Sequence, residues 1–173
     1  AFALRPAPIQ MSYLGYPATT GLSAIDYRLT DTMADPPGMT ETLHRETLLN
    51  IEGGFLCYNP EKGTPDVNDL PANASGFITF GSFNNLAKVT PTVITTWSKI
   101  LNSIPQSQLL IKSKALRDEK IAARIERSFA DHGIGSNQIK CLGWITQGSP
   151  LAPYNQIDIG LDTFPYNGTT TTC

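Results

Sequence analysis

Two stretches of this chain hold groups that could grip an anion. Asn84, Asn85 and Lys88 follow the short apolar run Phe77-Ile78-Thr79-Phe80, with Gly81 ending the run. A carboxamide brings two N–H donors and an ammonium three, and the carboxyl end of a parallel strand is where such donors meet phosphate. The second stretch, Asn167-Gly168-Thr169-Thr170-Thr171-Thr172, comes after the run Ile157-Asp158-Ile159-Gly160-Leu161. A glycine followed by hydroxyl residues entering a helix offers backbone N–H groups and O–H donors, which hold a diphosphate without much positive charge. Each stretch also has a plainer reading. Asn pairs form turns, a single loop lysine is solvated, and a threonine can simply cap a helix. Two such loops at the carboxyl ends of strands in one sheet carry more weight than either alone, because ligands of open α/β sheets bind at that edge.

The elements needed to position them can be read from the pattern. Thr90 and Pro91 are an N-cap and a first helical residue, and Val93, Trp97, Ile100, Leu101 and Ile104 form one apolar stripe. Gln108 to Lys112 is a strand. Asp118 to His132 is a helix with Ile121, Ile125 and Phe129 inward and Gly133 as its stop, and Ile139 to Leu142 is a third strand. A polar loop and a short helix then lead to the strand at Ile157 to Leu161. The order β-α-β-α-β-α-β predicts an α/β, Rossmann-like parallel sheet with helices on both faces. Upstream, strands are expected at Ile9 to Tyr13, Ala24 to Leu29 and Leu48 to Ile51, with a short helix over Thr40 to His44. Residues 1–58 thus read as the tail of one αβ lobe and 77–173 as a second. The segment 59–76, with three prolines and few large apolar groups, reads as the crossing loop.

Composition narrows the class. The 173 residues are 40% hydrophobic and 16% charged with a net charge of −2, an ordinary globular balance without a basic run. That excludes nucleic acid or an anionic membrane surface as the main partner. No apolar stretch approaches the about 18 residues that cross a bilayer. Cys57, Cys141 and Cys173 are odd in number, lack a C-x-x-C and do not group with His44 or His132. They read as buried free thiols of a reducing, cytoplasmic setting, with no zinc site. The sequons at Asn73 and Asn167 are expected to be unused. Both ends read as cut: no initiator Met opens the chain, and Cys173 closes it inside the Thr run.

Longer motifs run through the chain in a fixed order: Leu4-Arg5-Pro6-Ala7-Pro8-Ile9-Gln10, Leu14-Gly15-Tyr16-Pro17-x-Thr19-x-Gly21, Asp26-Tyr27, Phe80-Gly81-x-Phe83-Asn84-x-Leu86-x-Lys88, and Leu161-Asp162-Thr163 with Asn167-Gly168-x-Thr170-Thr171. Together they resemble the catalytic region of protein O-linked N-acetylglucosamine transferases and their SPINDLY-like relatives. The resemblance implies a GT-B architecture of two Rossmann-like lobes, with residues 1–58 ending the acceptor-side lobe and 77–173 opening the nucleotide-sugar lobe. It implies that Lys88 is catalytic, contacting the donor diphosphate and stabilising the leaving group. Asn84, Asn85, Asn167, Gly168, Thr169, Thr170 and Thr171 would bind the donor, and Leu14, Gly15, Tyr16, Pro17 and Phe55 would lie on the sugar and acceptor side.

The implied activity is an inverting transfer to a Ser or Thr hydroxyl of a protein, without metal or other cofactor. UDP-N-acetylglucosamine is the default donor and GDP-fucose, used by SPINDLY-like relatives, the alternative. No acidic pair of the kind that holds a divalent cation is evident, so Lys88, backbone N–H groups and the threonine hydroxyls would neutralise the leaving group. Several family features are missing from this stretch: the helical repeats (TPR), a histidine-bearing portion of the first lobe, and an acidic residue after the Thr run. The loop Thr146 to Pro153 lacks the basic residue and the histidine that relatives place there, which predicts weaker donor binding or a degenerate, non-catalytic binding protein. An unrelated dinucleotide-binding domain is the remaining reading, and no G-x-G-x-x-G follows a strand to support it.

Overall fold

Short apolar runs separated by turn residues fold into short parallel strands, and the longer amphipathic segments between them fold into helices. In a computed structural model, which describes residues 1–143 and 149–173, the chain divides into two units, Ala1–Asn59 and Pro60–Cys173.

The first unit is a three-stranded parallel sheet in the order β1 (Met11–Ser12), β2 (Tyr27–Thr30), β3 (Thr47–Asn50). Tyr27 stands opposite both Met11 and Thr47, so all three strands share one register line. The helix expected over Thr40 to His44 is a single 3₁₀ turn at Glu41–Leu43, and Ile9 and Ala24 lie outside the strands expected to hold them. Among the described residues of this unit, Ile25 is the one buried apolar side chain. Its interior is otherwise polar, with Arg28, Thr30, Asp35 and Glu46 all nearly or wholly enclosed. Such an interior holds only if its groups are hydrogen-bonded to one another.

The second unit carries the larger core. Its four parallel strands run β6 (Ile139–Leu142), β5 (Gln108–Lys112), β4 (Thr79–Ser82), β7 (Ile159–Gly160). A short helix α1 (Ala72–Ser75) precedes β4. Asp158 fixes both, accepting from Ala72 N at 2.8 Å and Thr79 N at 2.8 Å. Helix α2 (Pro91–Ser103) begins as its sequence dictates: the Thr90 side chain accepts from Val93 N, a cap contributing about 1 kcal/mol. Asp118 likewise caps α3 (Glu119–Ala130), and Gly133, at φ 80°, ends that segment. Val93, Trp97 and Leu101 of α2 and Ile125 and Phe129 of α3 pack on Phe80, Leu109 and Ile111 of the sheet. Each such side chain removed from water contributes about 1.5–3 kcal/mol before the cost of ordering it.

Two points differ from the pattern-based expectation. The α-helices do not divide between the faces. Successive crossovers β4→β5→β6 move in one direction across the sheet and so deliver α2 and α3 to the same side, where Thr95 Oγ1 meets His132 Nε2 at 2.9 Å. On the other face, onto which Gly81 and Leu110 point, Ile157 of the return segment, just after the 3₁₀ helix Ala152–Gln156, packs against Gly81. Gly81 also does not end its strand. It pairs with Leu110 and Gly160 inside β4, and a Cβ there would lie 2.5 Å from Ile157 Cγ2. The glycine serves a close approach between the strand and the return segment, not a turn.

Candidate functional site

The carboxyl ends of β4 and β7 are neighbours, so the loops that follow them meet. Asn85 caps the 3₁₀ turn Leu86–Lys88, its side chain accepting from Ala87 N at 3.1 Å. That turn aims Lys88 across to the second loop. Its Nζ donates to the Asn167 carbonyl at 2.8 Å and stands 4.5 Å from the centre of the Tyr166 ring. The ammonium therefore joins the two stretches that sequence alone could only set side by side. Asn84 is buried, and its Nδ2 donates to Asp162 Oδ1 at 3.1 Å.

Asp162 organises the loop. Its carboxylate accepts from Thr163 N (2.7 Å), Gly168 N (2.7 Å) and Thr172 Oγ1 (2.8 Å) as well as from Asn84. Burial works against the charge, but the hydrogen bonds from Gly168, Thr172, Thr163 and Asn84 outweigh it and hold the carboxyl below its usual range. Two donors expected to face a ligand, the Gly168 N–H and the Thr172 hydroxyl, are thus already committed. The N–H groups of Thr169, Thr170, Thr171 and Thr172 donate to nothing among the described residues, and neither do the hydroxyls of Thr169, Thr170 and Thr171. Residues 169–173 close one α-type turn, Cys173 N to Thr169 O at 3.1 Å, which leaves its leading N–H groups open as at a helix start.

A pocket of about 160 Å³ opens beside this loop, lined by Phe83, Tyr154, Gly160, Asp162 and Thr171 among others. Phe83 and Tyr154 meet edge to face at 4.5 Å, and the Tyr154 hydroxyl donates to the Thr171 carbonyl at 2.8 Å. Of the loop expected over Thr146 to Pro153, Thr146, Gln147 and Gly148 lie outside the described residues. Where the rest is described, a cation does reach it from elsewhere in the fold. Lys112, at the end of β5, donates from Nζ to the Pro150 carbonyl at 2.7 Å and lies 5.7 Å from the Phe83 ring centre. Its burial lowers its pKa. Sequence reading gives Lys112 no role and Asp162 only a place in a motif, although each stands at or just after the carboxyl end of a strand, where side chains reach the ligand edge.

In the first unit the expected acceptor-side residues occupy the loops after β1 and β3. Leu14 has a φ of 55°, and Gly15 N donates to the Tyr13 carbonyl at 2.6 Å, a strained three-residue turn for a branched side chain. Buried Arg28 fastens the following segment through the carbonyls of Tyr16 (2.7 Å) and Ala18 (3.3 Å), and so fixes Pro17 between them. Phe55 is held at both ends of its peptide: its N–H donates to Asp31 Oδ2 (2.8 Å), and its carbonyl accepts from the Tyr13 hydroxyl (2.8 Å). Tyr13, next to Leu14 in the chain, therefore ties the loop after β1 to the loop after β3. Hydrogen bonds from Ala34, Phe55 and Met33 keep Asp31 below its usual pKa despite some desolvation.

Glu46 anchors the same unit. Burial raises its pKa, but the Thr19 hydroxyl (2.6 Å), the Thr20 hydroxyl and Thr20 N (2.7 Å) prevail and hold it at about 2, against an ordinary 4.5. Because the folded pKa is the lower one, this contribution is complete above pH 4.5 and is lost as pH falls toward 2. Glu46→Gln should cost about 1–3 kcal/mol at pH 7 and flatten the acid limb of stability between those values. Denaturant titrations at pH 7 and pH 3 measure both. An unchanged acid limb would mean that Glu46 is not the group lost there.

The thiols differ from expectation. Cys57 and Cys173 are exposed and Cys141 is half-buried, all three unpaired. Burial, helped by Glu126, pushes Cys141 up to about 11. No group of three or more His, Cys, Asp or Glu among the described residues is placed to hold a metal ion, and no described helix is long and apolar enough to cross a membrane.

Similarity to known proteins bears on this arrangement. The profile of glycosyl transferase family 41 matches residues 1–57. The chain is 47% identical over 172 residues to a rice protein named probable UDP-N-acetylglucosamine–peptide N-acetylglucosaminyltransferase SPINDLY, covering 99% of this chain and 18% of that protein. It is 31% identical over 181 residues to the Arabidopsis thaliana protein of the same probable activity named SEC, covering 98% and 18%. A solved structure of a mutant Thermobaculum terrenum O-GlcNAc transferase superposes with a TM-score of 0.89 at 36% identity, over 99% of this chain and 32% of that one. The chain thus spans about a fifth of the length of the curated relatives it matches. Profile, sequence relatives and solved structure agree: this stretch of chain belongs with the O-GlcNAc transferase and SPINDLY proteins of glycosyltransferase family 41 and shares their GT-B-type, parallel-stranded α/β fold.

Proposed function

We propose that the protein carrying this chain is an inverting, metal-independent glycosyltransferase that moves a sugar from a nucleoside diphosphate to Ser or Thr hydroxyls of proteins. The observation that carries the reading is the Lys88 ammonium fastened to Asn167, because it brings a cation and the open N–H groups of Thr169 to Thr172 to one sheet edge. In the reaction the acceptor oxygen forms a bond to the anomeric carbon while the bond from that carbon to the diphosphate oxygen breaks. The electron pair stays on the diphosphate, and the acceptor proton leaves to a base outside the residues assigned here. A nucleoside diphosphate departs only if that growing charge is neutralised, and fixed N–H donors and an ammonium do so without reorganising. Asn84 and Asn85 shape the loop from which Lys88 reaches. Leu14, Gly15, Tyr16, Pro17 and Phe55 form the acceptor and sugar side.

UDP-N-acetylglucosamine is the first donor to test. GDP-fucose, the alternative donor that the resemblance to SPINDLY-like proteins implies, is the second to test; the relatives named SPINDLY and SEC both carry UDP-N-acetylglucosamine in their names. No cofactor is required, and the expected partners are a nucleotide sugar and protein acceptors in the cytoplasm. Incubating the full-length protein with each donor, with chelator present, and following release of UDP or GDP and modification of acceptor Ser/Thr tests the reading. Turnover of either donor supports it, and turnover of neither by a folded protein contradicts it.

A further inference from the structure

A carboxylate close to a diphosphate site needs a reason, since its charge opposes the ligand's. Asp162 is that carboxylate, and its acceptor capacity is spent inside the protein. Oδ1 takes the Gly168 and Thr163 N–H groups and the Asn84 amide, and Oδ2 takes the Thr172 hydroxyl. Three of these partners lie in or beside the two loops assigned to the donor, and they arrive from different points of the chain. Packing around the hub is tight. A Cβ on Gly168 would come within 2.5 Å of Asn84 Oδ1, 2.8 Å of Thr172 Oγ1 and 3.2 Å of Asp162 Oδ1.

We propose that Asp162 is a positioning residue for the donor diphosphate, acting through the loop Gly168 to Thr172 and through Asn84 without touching the ligand. Its bonds take up the Gly168 N–H and the Thr172 hydroxyl and so fix the turn from which the N–H groups of Thr169, Thr170 and Thr171 remain open. They also fix Asn84 in the loop that sends Lys88 to Asn167. One ionised group thereby sets the separation between the ammonium and the N–H donors. A neutral amide in its place has one acceptor oxygen and would turn an NH₂ toward a donor, so the loop loses one of its two anchors.

This proposal rests on the diphosphate reading, and the test separates the two. Binding of UDP, GDP and inorganic pyrophosphate to the full-length protein is measured by calorimetry for wild type, Asp162→Asn, Thr172→Val and Thr172→Ser, with the melting temperature of each. Thr172 is exposed, and Val is isosteric with Thr, so this variant removes the hydroxyl and little else. The expected result is that wild type binds, Asp162→Asn and Thr172→Val bind about 10- to 100-fold more weakly, and Thr172→Ser binds like wild type. The melting temperature of Thr172→Val should stay at the wild-type value, which a merely structural role would not explain. Wild-type binding with equal affinity in Thr172→Val and Asp162→Asn overturns the positioning role alone. No binding of any probe by folded wild type overturns the diphosphate reading and this role with it.

Discussion

Lys88→Ala in the full-length protein is expected to lower kcat by about 10²–10³, the loss typical of one preorganised donor to a developing oxyanion. The ammonium is already in place in the free protein, bonded to Asn167 O at 2.8 Å and lying over Tyr166. Little has to be ordered when the ligand arrives, so the loss should fall on the step where charge grows, in kcat more than in KM. UDP or GDP affinity should drop by a smaller factor, because the ground-state diphosphate keeps its N–H donors. Lys88→Arg should rescue only in part, since a planar fork cannot bond Asn167 and the ligand as a compact ammonium can. The turn Leu86–Lys88 is held by Asn85 and backbone bonds, so the melting temperature should barely move. A variant that keeps more than about a tenth of wild-type kcat would show Lys88 to be a loop charge outside the reaction.

Gly168→Ala should be nearly as damaging by a different route. The added methyl would stand 2.5 Å from Asn84 Oδ1 and 2.8 Å from Thr172 Oγ1. Asn84 is buried and cannot swing away, so the loop must move instead. Overpacking of this kind costs about 1–3 kcal/mol in stability. The larger effect should be on donor affinity, which is expected to fall at least about tenfold because the N–H groups of Thr169 to Thr171 shift with the loop. The signature is weak nucleotide binding by a protein that still folds, measured by calorimetry beside a thermal melt. Wild-type affinity in Gly168→Ala would mean that the loop tolerates displacement and does not hold the ligand.

The strands and helices of the second unit were legible because each carries its own signal. Thr90-Pro91 marks the start of α2, the spacing of Ile121, Ile125 and Phe129 marks the buried side of α3, and Leu109-Leu110-Ile111 reads as a strand covered on both faces. Gly81 looks like the end of its strand because a glycine closes the apolar run, yet β4 continues to Ser82. Only the return segment, distant in sequence, shows that it makes room for Ile157. The three strands of the first unit were legible but their bounds were not, since two- to four-residue strands around a polar interior of Arg28, Glu46 and Thr30 carry little hydrophobic period. At the site, Lys88 and the Thr run could be named from residue type. Asp162 could not be given its role, because a carboxylate bonded to groups one to seventy-eight residues away is defined by the fold. Lys112 escaped for the same reason: its partner Pro150 lies thirty-eight residues on.

Hydrogen–deuterium exchange of the full-length protein with and without UDP or GDP tests the central claim most directly. The N–H groups of Thr169 to Thr172 have no acceptor among the described residues and should exchange fast in the free protein. A bound diphosphate should slow them sharply, together with the segment 84–88, while exchange in α3 stays as it was. Nucleotide that binds without protecting residues 168–172, or that protects only residues 1–59, would contradict the account.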